Sequence, residues 1–157
     1  MTFNSFSRRA LVFGASAACL AMSPATALLA EPLPRLEVQK TPNCGCCAVW
    51  VDYVREAGFE VTVADTYDYV GMKTAAGVPE PLWSCHTART DGYVVEGHVP
   101  FAAIRTLLRD RPDIAGISVP EMPAGSPGMG GGVDAVVPVT AWGGAAGAGA
   151  PFAFDGG

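Results

Sequence analysis

The chain has 157 residues, half of them hydrophobic, and its excess of acidic over basic side chains gives a net charge of −5. This length suits a single small domain. The negative balance argues against nucleic-acid binding and leaves no basic patch for anionic lipids.

The first 30 residues have the pattern of an export signal. Arg8 and Arg9 precede an apolar run from Leu11 to Met22, which is shorter than the roughly 20 residues that span a bilayer as a helix. The arginine pair also resembles a twin-arginine signal, with an ordinary secretory signal as the alternative. We therefore predict a periplasmic protein, exported by the signal at 1–30. Its mature chain, residues 31–157, has no membrane span and carries eight basic against fifteen acidic residues, a charge of −7.

Apolar spacing predicts alternating strands and helices in the mature chain. Residues 36–40 alternate as a half-buried strand does, and the run from Cys47 to Val54 places apolar residues at the i, i+3, i+4 and i+7 positions of a helix. Asp91-Gly92 is a strong signal for a two-residue hairpin turn. The predicted elements are strand 36–40, helix 46–57, strand 59–64, helix 68–76, strands 83–90 and 93–96, and a helix from Pro100 that ends at 109–112.

The C-terminal part is rich in glycine and proline. Residues 117–132 are predicted to form an irregular loop. Residues 136–142 are predicted to form an additional strand, paired with 152–154, and Pro138 indicates that this strand lies at a sheet edge. The Gly/Ala connection at 143–150 is predicted to be a flexible loop.

This order of elements predicts an α/β fold of the thioredoxin-like type. The order is β–α–β–α–β–β–α, with cysteines at the first strand-to-helix junction. We expect one domain over 31–157, with a small mixed sheet flanked by helices, a Pro/Gly-rich loop and extra C-terminal strands.

Three of the four cysteines of the mature chain lie in the cysteine cluster, Cys44-Gly45-Cys46-Cys47. Neighbouring Cα atoms are about 3.8 Å apart, below the usual disulfide range of about 4.4–6.8 Å, so Cys46 and Cys47 are not expected to bridge each other. Cys44 and Cys47 have the C-x-x-C spacing of a redox pair at a helix start. Three thiolates on one turn favour a thiophilic ion such as Cu(I) or Zn(II).

Two alternatives to copper binding stay open at this point. The first is a thiol–disulfide oxidoreductase with Cys44 as nucleophile and Cys47 as resolving thiol. The second is a structural zinc domain, in which the metal only holds the fold. The residues do not decide whether the protein is an enzyme. If it is one, it is either a copper oxidoreductase or a thiol–disulfide oxidoreductase.

Further candidate donors lie downstream of the cluster. Cys85 is either a ligand or the disulfide partner of a cluster thiol. Consecutive side chains on a strand point to opposite faces, so Cys85 and His86 can reach one ion only at a bulge or a strand end. His98 lies at a predicted turn, where its ring can face a cleft. Met122 and Met129 offer thioethers, which are soft ligands suited to Cu(I), although methionines also fill gaps in cores.

Together these motifs resemble the CopG family of periplasmic copper-resistance proteins. The resemblance covers residues 36–130 and rests on Cys44-Gly45-Cys46-Cys47, Ser84-Cys85-His86-Thr87, Glu96-Gly97-His98-Val99-Pro100 and Gly125-Ser126-Pro127-Gly128-Met129. It implies a thioredoxin-like domain that binds Cu(I) through its cysteines, with room for cycling between Cu(I) and Cu(II) and for more than one bound ion. The metal ligands implied by the resemblance are Cys44, Cys46, Cys47, Cys85, His86, His98, Met122 and Met129. The expected partners are copper ions and other periplasmic copper-handling proteins.

Overall fold

The computed structural model of the chain describes Met1 and residues 33–156, so the predicted export segment lies outside the described residues apart from Met1. Among the residues described, no helix is long and apolar enough to cross a membrane. The elements in chain order are β1 Leu36–Lys40, α1 Gly45–Glu56, β2 Val61–Asp65, α2 Tyr69–Ala75, β3 His86–Thr90, β4 Tyr93–Glu96, α3 Phe101–Asp110, β5 Gly116–Ser118, β6 Thr140–Trp142 and β7 Ala150–Pro151. Short 3₁₀ turns lie at Glu80–Leu82 and Gly144–Ala146.

The strands form one mixed sheet in the order β2-β1-β3-β4-β5-β6-β7. β1 pairs in parallel with β2, and β4 pairs in parallel with β5, while the other neighbours are antiparallel. The parallel β1–α1–β2 unit needs a crossover, which the helix provides. The loop between β1 and α1 lies at the end of the second strand of the sheet, next to the edge strand β2.

Helices α1 and α3 bury their apolar faces in the main core. The predicted face of α1 is confirmed, because its buried residues are Cys47, Trp50, Val51 and Val54. Trp50, Val51 and Val54 pack in one cluster with strand residues such as Val38 and with Phe101 of α3. Gly58 ends α1 with a left-handed φ of 92°, a conformation that glycine adopts without a Cβ penalty.

Helix α2 packs against β3 and β4. Its buried residues are Met72 and Lys73, and the Lys73 ammonium reaches Thr87 of β3 and Glu96 of β4. The side chain of Asp68 caps the helix by accepting the Gly71 N–H at 2.8 Å. All four residues of β4 are buried, so neither face of this strand is open to solvent.

The Asp91-Gly92 hairpin prediction is confirmed. Both residues have left-handed φ values, 46° and 88°, as the favoured two-residue hairpin turn requires. Thr90 pairs with Tyr93 across it. The N-terminal part of the predicted strand 83–90 is wrong, because regular strand begins only at His86. A 3₁₀ turn containing Pro81 lies just upstream and interrupts the extended chain.

Two predictions for the C-terminal part are wrong in detail. The predicted loop 117–132 begins inside β5, which pairs with β4 and β6. The predicted strand 136–142 shortens to Thr140–Trp142, and its partner is Ala150–Pro151 rather than 152–154. Only backbone pairing to distant strands specifies such short elements, so local periodicity does not reveal them. The 143–150 connection contains a 3₁₀ turn anchored by the Ala145 N–H to the Asp113 carbonyl oxygen at 2.8 Å.

Candidate metal centre

The cysteine cluster lies where β1 gives way to α1. Cys44 is the N-cap residue of α1, and its N–H donates to the carbonyl of Thr41 at 3.1 Å. Cys44 and Cys47 are joined by a disulfide, with their Cα atoms 5.3 Å apart. Cys46 remains a free thiol, with its sulfur 3.5 Å from that of Cys44. In this state Cys46 is the member of the cluster whose sulfur is free to bind a metal ion.

Cys85 and His86 converge because they lie at the start of β3. Ser84 makes an isolated bridge to Glu121, and regular pairing begins only at His86, so the alternation of a strand does not yet apply at Cys85. The Cys85 sulfur lies 3.6 Å from His86 Nδ1. The strand end therefore supplies the irregularity that lets consecutive side chains face one site.

A turn at Gly97 brings the His98 ring to the Cys85 sulfur. Gly97 has a φ of 75°, and a Cβ there would collide with the Ser84 side chain and lie 2.7 Å from the carbonyl oxygen of Val119. His98 Nδ1 lies 2.7 Å from the Pro127 carbonyl oxygen, which can only accept, so Nδ1 carries the proton. The lone pair is then on Nε2, which lies 2.8 Å from the Cys85 sulfur.

Six of the predicted ligands form two overlapping donor groups. In each group, one donor atom of every member lies within 4.8 Å of the others. Cys47 and Cys85 belong to both groups. The first, the thiol group, is Cys44, Cys46, Cys47 and Cys85, and the second, the mixed group, is Cys47, Cys85, His86 and His98.

The mixed group fits a soft metal ion. Thiolate and imidazole are the donors that copper and zinc prefer. His86 is fully buried, and its Nε2 atom has no hydrogen-bond partner among the described residues. Its ring centroid lies 4.4 Å from that of Trp50 and 5.1 Å from that of His98. A buried imidazole nitrogen without a partner is costly in a metal-free protein.

The two predicted methionine ligands lie in different environments. Met122 is about half exposed, at 48%, and lines a cleft of about 240 Å³ together with Cys44, Cys85, Tyr69 and Trp83. Met129 is half-buried and is not among the residues that line this cleft. Its neighbour Gly128 lies against α1, where a Cβ would come within 3.0 Å of the Cys46 carbonyl oxygen.

Sequence reasoning missed a buried ion pair next to the site. Lys73 and Glu96 are both fully buried, and Lys73 Nζ lies 2.6 Å from Glu96 Oε1. Burial lowers the pKa of Lys73 and raises that of Glu96, while their mutual attraction opposes both shifts. A signal was present in the sequence, because Glu96 ends an otherwise apolar run, Tyr93-Val94-Val95, next to His98.

Burial favours the neutral forms of Cys85, His86 and His98 when no metal is bound. Desolvation raises the pKa of the Cys85 thiol to about 12, with the nearby Cys46 as a further cause. It also lowers the pKa of His86 well below its usual value, to which the neighbouring His98 adds, and lowers the pKa of His98. Neutral imidazoles can accept a metal directly, whereas Cys85 must first lose its proton.

The His86 pKa predicts how stability depends on pH. Below about pH 6.5 the unfolded chain takes up a proton on this imidazole, whereas the buried folded imidazole stays neutral. The free energy of unfolding of the metal-free protein is therefore expected to fall with decreasing pH, by about 1.4 kcal/mol per pH unit for this group. Urea unfolding between about pH 7.5 and pH 5 measures this slope. In His86→Asn the slope should be shallower, and equal slopes would contradict this expectation.

The site and fold together define a mixed α/β protein with a cysteine–histidine centre at a strand-to-helix junction. Residues 82–129 match the family described as "Protein of unknown function, DUF411". Two solved structures, described as copper resistance protein CopG in form 1 and form 2, are each 41% identical to this chain with a TM-score of 0.69. The two matches cover 81% and 79% of this chain, and 100% and 98% of the respective solved chains. No curated protein sequence matches the chain.

The chain belongs to the CopG family of copper resistance proteins. The resemblance seen in the sequence motifs is thereby confirmed. The matched DUF411 segment contains Cys85, His86, His98 and both loop methionines, while the cysteine cluster lies upstream of it.

Proposed function

We propose that this protein is exported to the periplasm and binds Cu(I) in copper resistance. The observation that carries the proposal is the convergence of four cysteine sulfurs and two imidazoles in two donor groups that share Cys47 and Cys85. Thiolates select Cu(I), and neutral imidazoles suit it as well. The name of the 41% identical relatives, copper resistance protein, agrees with this ion. The predicted signal at 1–30 supports export, and other periplasmic copper-handling proteins are the proposed partners.

The sheet supports the finer proposal of a thioredoxin-like domain. Its first four strands have the order β2-β1-β3-β4, in which β1 and β2 are parallel, β3 is antiparallel to β1, and β4 is antiparallel to β3. The cysteine cluster lies between β1 and α1, where that type of domain places its redox cysteines. The remaining strands, β5 to β7, extend the sheet beyond this unit.

The redox state of the cluster governs which donors are free. While Cys44 and Cys47 are joined, the donors of the two groups that stay free are Cys46, Cys85, His86 and His98. Reduction by two electrons and two protons restores both thiols and completes both groups. Two overlapping groups leave room for more than one ion, and mixed sulfur and nitrogen donors are compatible with both Cu(I) and Cu(II).

The test is Cu(I) binding by the reduced protein without oxygen, in competition with a chromophoric chelator. We expect the wild type to retain Cu(I) against the chelator and the variant with Cys44, Cys46 and Cys47 all changed to Ser to lose it. Tight binding by this triple variant would reject the proposal. Zinc in place of copper, with unfolding on chelation, would instead favour a structural zinc domain.

The Cys44–Cys47 disulfide favours a second candidate, a thiol–disulfide oxidoreductase. In that reaction a substrate thiolate attacks one sulfur of the disulfide, and the mixed disulfide is resolved by a second thiolate, which leaves the substrate oxidised and both cysteines reduced. This activity needs neither histidine. Catalysis of a model thiol–disulfide exchange that survives His86→Asn and His98→Asn would support it, whereas copper binding should be weakened by both changes.

Met122 is expected to act in copper uptake rather than as a buried ligand. Glu121 has a left-handed φ of 60°, and the Ser84 hydroxyl donates to its carbonyl oxygen, so the backbone directs Met122 to the cleft beside Cys44 and Cys85. Met122→Leu keeps the volume but removes the thioether. We expect uptake of Cu(I) to slow about tenfold, a change of roughly 1.4 kcal/mol in the barrier, with equilibrium affinity little changed.

Stopped-flow mixing with a Cu(I)–chelator complex measures this rate. Met129→Leu is the matched control, because Met129 does not line the cleft and its change should leave uptake near the wild-type rate. A wild-type rate in Met122→Leu would contradict the assigned role. A large loss of equilibrium affinity in that variant would instead make Met122 a resident ligand.

A further inference from the structure

The buried ion pair between Lys73 and Glu96 carries a large desolvation cost for so small a domain. Both side chains are fully buried and lie 2.6 Å apart. The free-energy penalty of desolvating two charges can exceed the gain from their attraction. Such a pair is therefore weak evidence for a contribution to stability. The hydrogen bonds around the pair indicate what else it does.

The Glu96 carboxylate binds the chain on both sides of Cys85 and His86. Its Oε1 accepts the backbone N–H of Ser84 at 2.6 Å. Its Oε2 accepts the hydroxyl of Thr87 at 2.7 Å. Because Ser84 precedes Cys85 and Thr87 follows His86, one carboxylate fixes both ends of this dipeptide.

Lys73 completes the arrangement through Tyr69. Its ammonium lies 4.4 Å from the centre of the Tyr69 ring, and the Tyr69 hydroxyl donates to the Ser84 carbonyl oxygen at 2.8 Å. The backbone N–H and C=O of Ser84 are thus held by Glu96 and Tyr69, and Lys73 contacts both of these side chains. Regular strand pairing begins only at His86, so these side-chain bonds hold a segment that the strand ladder does not.

Glu96 also links the segment from Ser84 to Thr87 to His98. Glu96 is two residues before His98, and the intervening Gly97 donates its N–H to the His86 carbonyl oxygen at 2.9 Å. The Cys85 sulfur then lies 2.8 Å from His98 Nε2 and 3.6 Å from His86 Nδ1. Three donors of the mixed group therefore depend on the position of one carboxylate.

We propose that Glu96, neutralised by Lys73, is a positioning residue that sets the spacing of Cys85, His86 and His98 for a soft metal ion. This inference rests on the proposed function, because it assigns these three residues as ligands. Outer-shell partners of metal ligands typically account for about 10–100-fold in affinity. Glu96 acts on Cys85 through the Ser84 backbone N–H, so this hydrogen bond is the feature to test.

A matched pair of double variants tests the hydrogen bonds that Glu96 accepts from Ser84 and Thr87. Lys73→Met with Glu96→Gln removes both charges and keeps an oxygen that can accept the Ser84 N–H. Lys73→Met with Glu96→Leu removes both charges and the acceptor. We call these double variants the Gln pair and the Leu pair. Their Cu(I) affinity is measured without oxygen by chelator competition on folded protein. It is expected to stay within about threefold of wild type in the Gln pair and to fall about 10–100-fold in the Leu pair.

Glu96→Asp keeps the proposal testable if the Leu pair does not fold. The aspartate retains the charge but is one methylene shorter, so it cannot keep both the Lys73 and Ser84 contacts. We expect a folded protein, as judged by circular dichroism, with about tenfold weaker Cu(I) binding. Wild-type affinity in Glu96→Asp, or equal affinities in the Gln and Leu pairs, would overturn the positioning role.

The triple serine variant separates this proposal from the proposed function. If the wild type binds Cu(I), the triple variant does not, and the Glu96 variants bind like the wild type, only the positioning role is rejected. If the wild type does not bind Cu(I), the proposed function and the positioning role are both rejected. If the triple variant retains tight binding, the cysteine cluster is rejected as the Cu(I) site, and the comparison of the Glu96 variants alone decides the positioning role.

Discussion

Changing Cys85 to serine is expected to weaken Cu(I) binding by more than about 100-fold, beyond the range that loss of an outer-shell partner causes. Cys85 belongs to both donor groups. Its sulfur lies 2.8 Å from His98 Nε2, whose other nitrogen is fixed by the Pro127 carbonyl oxygen. A serine hydroxyl is a harder donor and is not ionised at neutral pH, so it cannot replace the thiolate for a soft ion.

Cys46→Ser is the control for Cys85→Ser. Cys46 is the other free thiol among the described cysteines, but it belongs to the thiol group alone. The mixed group stays complete in Cys46→Ser once the disulfide is reduced, so this variant should lose less affinity than Cys85→Ser. Chelator competition on both reduced variants measures the difference. If the two lose affinity equally, Cys85 does not serve two groups.

Trp50→Ala is expected to lower the free energy of unfolding of the metal-free protein by about 3–5 kcal/mol. The Trp50 side chain is fully buried on α1, and its ring lies 4.4 Å from that of His86 and 6.0 Å from that of Phe101. Its indole N–H donates to the Val99 carbonyl oxygen at 3.1 Å. The truncation leaves a cavity in the main core and a buried carbonyl without its donor.

Urea unfolding with the disulfide intact measures this loss. Trp83→Ala is the comparison, since Trp83 is only half-buried and packs at the edge of the smaller apolar cluster. Its loss should be clearly smaller. A loss below about 1 kcal/mol in Trp50→Ala would contradict the view that α1 is anchored to the sheet by this ring.

Elements with a strong local pattern were predictable from the sequence. The buried face of α1 follows from apolar residues at helical spacing, and the β3–β4 hairpin follows from Asp91-Gly92. β5 was missed because three residues, Gly-Ile-Ser, carry no periodicity of their own. This strand exists because β4 and β6 pair with it, and Gly116 allows close approach, since a Cβ there would lie 2.5 Å from the Trp142 ring.

The chemistry of the candidate site was predictable from residue types, but its geometry was not. The cluster, Cys85 and the two histidines are distinctive motifs, and six of the eight proposed ligands lie in the two donor groups. The sequence did not show that β3 begins only at His86, which lets Cys85 and His86 face the same site. It also did not reveal Lys73, whose burial depends on the packing of α2 against Thr87 and Glu96.

X-ray absorption at the copper K-edge tests the copper site most directly. The sample is the reduced protein loaded with Cu(I) without oxygen, compared with the triple serine variant of Cys44, Cys46 and Cys47. We predict a copper environment dominated by sulfur with an imidazole contribution in the wild type, and loss of that signature in the variant. A wild-type spectrum with only nitrogen and oxygen neighbours, or sulfur scattering that persists in the variant, would contradict a copper site built on this cysteine cluster.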